Sequence, residues 1–216
     1  MSTYSLIDLL TLISPLLILI GVLIGFLKFK KMDSLHRILL FYLLICLSTD
    51  LISRLFSEIY GNNLVLMPFF NLLEFISISS IFIVLLPAKR ELILILILAV
   101  FSIYFIEFLY LKKPLSGSKT IYSYIFSSLV ISFLSIYLYI NQLVNSKIKH
   151  KTINNLNASI MLYFSLKLFF NIPLSFFIFE SSDVKYFFWL IFLMNTLVFY
   201  GIIAFSLWKS GKIQVK

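Results

Sequence analysis

Seven stretches of this chain stay apolar over roughly 20 residues, the length a helix needs to cross a hydrocarbon layer of about 30 Å. They cover residues 4–29, 38–60, 65–86, 92–111, 121–144, 159–180 and 186–208. Short polar segments separate them, so successive helices run antiparallel. Hydrocarbon offers the backbone no hydrogen-bond partners, and a helix satisfies its amides internally. The composition agrees: 61% of residues are hydrophobic and only 12% charged, against about a quarter charged in a soluble domain. The pattern predicts an all-α, polytopic integral membrane bundle of seven transmembrane helices in one domain, 1–216. It excludes a soluble enzyme, a disordered tail and a disulfide-rich module. The single cysteine, Cys46, lies inside an apolar run and has no internal partner. The first run has no basic segment before it and no small-residue cleavage site after it, so it reads as a span rather than a signal peptide.

The net charge of +9 sits in the short loops, a topology signal rather than a nucleic-acid surface. One side carries Lys28, Lys30, Lys31, Arg37, Lys89, Arg90, Lys147, Lys149, Lys151, Lys209, Lys212 and Lys216. The other carries Lys112, Lys113, Lys119 and Lys185. Cytoplasmic loops hold the excess of lysine and arginine, so the N-terminus is expected outside and the C-terminus in the cytoplasm, in a cytoplasmic (inner) membrane.

A charged side chain at mid-bilayer costs about 2.5–3.5 kcal/mol on insertion scales, so it faces the bundle interior and has company. In the second run Asp50, Arg54 and Glu58 recur every four residues, making an acid–base–acid ladder with Ser53 and Ser57 beside it. This reads either as a self-neutralising stripe or as a polar path opening outward. In the third run Asn71, Glu74 and Ser77 share a face, and Glu74 has no cation on its own helix. It must be protonated, hydrated or paired across helices. The sixth run aligns Ser159, Tyr163, Lys167 and Asn171. Lys167 either snorkels to the headgroups or turns inward to Glu74 or Asp50. Pro173 lies one turn beyond and is expected to bend the helix, freeing the Phe169 carbonyl. Asn195, Thr196 and Tyr200 put a polar patch on the seventh run, and Glu107 sits near the outer end of the fourth. Ser128, Ser132, Ser135 and Tyr139 line one face of the fifth, a pattern of helix packing. Gly21 and Gly25 form GxxxG, suited to a close contact within the bundle or between two copies as a homodimer.

No HExxH, nucleotide-binding glycine motif, CxxC or intramembrane-protease motif occurs, and His36 and His150 fall in loops, so no cofactor or metal site is expected. The candidate polar cluster is Asp50, Arg54, Glu74, Asn71, Lys167, Asn171 and Asn195, with Pro173 as the bend. Acid–base catalysis, for instance on lipid, stays open as a minor alternative.

Three segments resemble a group of small bacterial seven-helix membrane proteins: Ser48-Thr49-Asp50-Leu51, Asn71-Leu72-Leu73-Glu74-Phe75 and Leu162-Tyr163-Phe164-Ser165. In that group a small and then an amide residue often follow the third segment; here Leu166-Lys167 stand instead. Members look like membrane modules found near, or fused to, sensor kinases. The resemblance implies a receptor-like sensory module that acts through a signalling partner. Midplane carboxylates also suit a small-molecule or ion-coupled transporter. A structural membrane subunit, whose polar residues only hold helices together, is the third reading.

Overall fold

A computed structural model of the chain describes residues 3–61, 63, 66–110, 121–144, 151–177 and 183–210, side chains at 3–6, 8, 110, 121, 151, 171–177 and 183–185 excepted. The described residues form seven long α-helices: α1 (Thr3–Lys28), α2 (Ser34–Tyr60), α3 (Met67–Leu85), α4 (Arg90–Tyr110), α5 (Ile121–Val144), α6 (Lys151–Phe177) and α7 (Asp183–Lys209). Among the described residues, six of them, all but α6, hold a segment long and apolar enough to cross a membrane. Large apolar side chains are exposed along the outside, as lipid contact requires (Leu27, Ile95 and Leu98 among them).

Helix ends follow local chemistry. Asp33 caps α2, its carboxylate accepting from the His36 amide at 3.0 Å and pairing with the His36 ring. Gly61 ends α2 in the left-handed conformation (φ 68°), its N–H donating to the Ser57 carbonyl at 3.0 Å. Pro68 stands in the first turn of α3, where its missing N–H is no loss. α6 begins at Lys151, eight residues before the apolar run. The polar opening is helical because it packs: Leu156 and Asn157 are buried, and Asn157 Nδ2 donates to the Ser135 carbonyl on α5 at 3.0 Å.

Neighbouring helices close a ring: α1 on α2, α2 on α3, α3 on α5, α5 on α6, α6 on α7 and α7 back on α1, with α4 against α3 and α5. The glycines of α1 serve this closure. A methyl on Gly21 would stand 2.6 Å from Leu43 Cδ1 and 3.2 Å from Ala204 Cβ, and one on Gly25 2.4 Å from Leu40 Cδ1. Gly21 faces α2 and α7, and Gly25 faces α2, within the chain. Where α1 and α7 end together, Lys28 Nζ donates to the Trp208 carbonyl, and Ser206 lies 3.4 Å from the His36 ring. Ser128, Ser132 and Ser135 are buried, and Ser132 meets Ser165 of α6 at 3.5 Å; Tyr139 is half exposed.

Candidate functional site

Inside the ring, α3 and α6 are not closely packed neighbours. Their side chains bridge the gap. Lys167 Nζ donates to Glu74 Oε2 and, at 2.7 Å, to Asn71 Oδ1. Glu74 Oε1 accepts from two hydroxyls, Tyr42 on α2 and Tyr163 on α6, each at 3.1 Å. Asn71 is held in turn by its own helix, Nδ2 donating to the Met67 carbonyl at 3.0 Å. Glu74 is 1% exposed and Lys167 4%. The group is therefore a closed network in which both carboxylate oxygens and the ammonium have partners. A buried pair is tolerable only when its remaining lone pairs and protons are satisfied in this way.

An aromatic layer fixes the network. The Tyr163 ring stacks on Phe199 of α7 with centroids 4.2 Å apart and planes 6° apart. Tyr42 packs edge-on to the same Phe199 at 6.0 Å and stands 6.4 Å from Tyr200. The Lys167 ammonium lies 5.6 Å from the Phe164 ring centre. Asn195 of α7 reaches the edge of the group, Nδ2 donating to the Tyr163 carbonyl at 3.4 Å.

Asp50 and Arg54 do not join Glu74. Arg54 Nε donates to Asp50 Oδ2 at 2.8 Å, a pair within one helix whose side chains are 43% and 29% exposed. Arg54 Nη2 continues outward to the Thr11 carbonyl on α1, also at 2.8 Å. The cause is Pro15, which lies inside α1 and has no N–H for the carbonyl four residues back. Arg54 supplies that donor instead. Glu58, the last rung of the expected ladder, is exposed, and Arg54 pairs with Asp50 instead. The single polar cluster expected from the sequence is thus two groups, one buried across helices and one peripheral on α2. Asn171 and Pro173 lie within the helical backbone of α6, but their side chains are outside the described residues, so the expected bend and the place of Asn171 are not described. Lys112, Lys113, Lys119, Lys147, Lys149, His150, Glu180, Lys212 and Lys216 are likewise outside the described residues.

Between the two groups is a cavity of about 190 Å³ at the end of the bundle where α2 turns into α3. Its polar wall comes from Ser14, Thr49, Asp50, Ser53 and Asn63. Cys46 and Tyr200 also line it, and Tyr200 packs on Tyr42. The cavity therefore touches the ion-pair network through one layer of tyrosines and is not lined by Glu74 itself. A second buried carboxyl lies apart: Glu107 Oε1 accepts from the Ser123 amide in the first turn of α5 at 3.1 Å. That is a helix cap built from a neighbouring helix, where a carboxylate meets the positive end of the dipole.

The residues that complete the network, Tyr42 and Phe199, carried no sequence signal beyond being aromatic. Tyr163 stood on the Lys167 stripe and its role followed from that spacing only once Glu74 faced it. No family model matches the chain, and neither the curated proteins nor the solved structures include a significant match.

Proposed function

We propose that the chain is a receptor-like membrane module that binds a small ligand in the Asp50 cavity and passes the event to a partner. In this reading α6 also crosses the bilayer, giving seven spans. The lysine-rich connection between α1 and α2 faces the cytoplasm of an inner membrane, and the cavity faces out. The observation that carries the proposal is the shared wall: Tyr200 lines the cavity and packs on Tyr42, which holds Glu74. A ligand that displaces Tyr200 changes the hydroxyl supply to the buried pair, and with it the relation of α3 to α6. Such a switch requires only that the ligand favour one of two packings. The sensor-kinase resemblance points the same way, with any downstream catalysis supplied by a partner.

The test is the distance between spin labels at the cytoplasmic ends of α3 and α6, in the full chain in nanodiscs, with and without ligand. A ligand-dependent change that disappears in Tyr42→Phe is expected. Distances that never respond to a bound ligand overturn the proposal. Transport is the competing reading, favoured by the buried carboxylate. Uptake into proteoliposomes lost on Glu74→Gln would select it over sensing.

A further inference from the structure

The cavity has a hydrogen-bonding polarity of its own. The Thr49 hydroxyl donates to the Ile45 carbonyl at 2.7 Å, so its remaining capacity is as an acceptor. Asn63 donates one amide N–H to Ser53 Oγ at 2.7 Å, which leaves its carbonyl oxygen as an acceptor and its second N–H as a donor. Asp50 gives one oxygen to Arg54 and is otherwise acceptor only. Arg54, the nearest cation, does not line the space, because its guanidinium is drawn away to the Thr11 carbonyl. The one charged group in the wall is thus an acid, joined by acceptor oxygens of Thr49 and Asn63, while Ser14 and Ser53 bring hydroxyls that can donate or accept. The other walls are apolar: Ile18, Met67 and Phe70.

From this we infer that the cavity binds a small organic ammonium ion. Its N–H groups point to Asp50 Oδ1, Thr49 and Asn63, and its hydrocarbon part rests on Ile18, Met67 and Phe70. An anion finds the carboxylate and no cation in the wall. A bare metal ion leaves the apolar walls unused and meets only one carboxylate, where divalent sites want more oxygen ligands. The inference rests on the cavity being the ligand site of the proposed function, and it names the ligand class.

Calorimetric titration of the full chain in nanodiscs tests it, with empty nanodiscs as the blank for partitioning into lipid. The probes are butylammonium and phenethylammonium, against 2-phenylethanol, 3-phenylpropionate and sodium chloride. The ammonium probes bind and the others do not. Asp50→Asn weakens the ammonium probes roughly tenfold or more, the scale of a charge-assisted contact. Arg54→Gln, which leaves Asp50 in place and releases its second oxygen, keeps or tightens binding. Asn63→Leu, at the connection between α2 and α3, weakens binding severalfold and stands in if Asp50→Asn does not fold. Equal binding of 2-phenylethanol, full displacement by sodium, an unaltered Asp50→Asn, or no binding of either ammonium overturns the inference. Ammonium binding with no response from the spin labels removes the sensory reading and leaves the inference. A spin-label response to the neutral or anionic probe alone does the reverse.

Discussion

Two of the acid–base pairs among the described residues, Asp50 with Arg54 and Glu74 with Lys167, are similar in composition and differ in nearly everything else. Asp50 and Arg54 are four residues apart on one helix and partly exposed. Glu74 and Lys167 are 93 residues apart, on helices that do not otherwise pack closely, and almost fully buried. The peripheral pair is assembled as soon as α2 forms, because spacing by four suffices. The buried pair exists only once the bundle closes. The first lets a helix carry charge; the second makes two distant helices answer to each other.

The contrast can be broken most severely at Glu74. Glu74→Gln leaves the Lys167 ammonium buried beside a neutral amide, and unfolding in detergent is expected to lose about 3–5 kcal/mol. If the loss is below about 1 kcal/mol, the two pairs are energetically alike and the contrast fails. Replacing both partners, Glu74→Met with Lys167→Met, is expected to recover most of that loss, since a buried pair exchanged for apolar volume is often neutral. A double-mutant cycle in which the two losses simply add would show that the residues act independently. Tyr42→Phe or Tyr163→Phe removes one donor from a carboxylate oxygen that keeps the other. The expected cost is about 0.6 kcal/mol and at most about 1.7, measured by the same unfolding titration. The smallest effect belongs to Arg54→Gln, under about 1 kcal/mol in unfolding free energy, as for exposed pairs. A larger loss would show that the donor to the Thr11 carbonyl, rather than the ion pair, is what Arg54 contributes.

The helical runs were plain in the sequence because a hydrocarbon solvent writes length and apolarity directly into the residues. The start of α6 was not, since Thr152, Asn154 and Asn155 look like a loop until Leu156 and Asn157 are seen to pack on α5. Lys167 was legible as a residue in need of a partner, and Glu74 as an acid without one. Asp50 competed with Glu74 for that role because depth can be read from position along a helix, whereas rotation about its neighbours cannot. The same limit merged two polar groups into one cluster. Arg54 was legible as a partner of Asp50; its second task, donating to the Thr11 carbonyl, is dictated by Pro15 on a different helix, which strands the carbonyl four residues back.

The glycine face of α1 also bears on how the molecule comes together during synthesis. Gly21 meets Leu43 of α2 and Ala204 of α7, so one side of that groove is filled early and the other waits for nearly the whole remaining chain. Until then α1 keeps a strip of close-approach surface open to any other helix of suitable shape. Of these seven helices α1 is made first and closed over last, and α7 is the keystone whose arrival completes its seat.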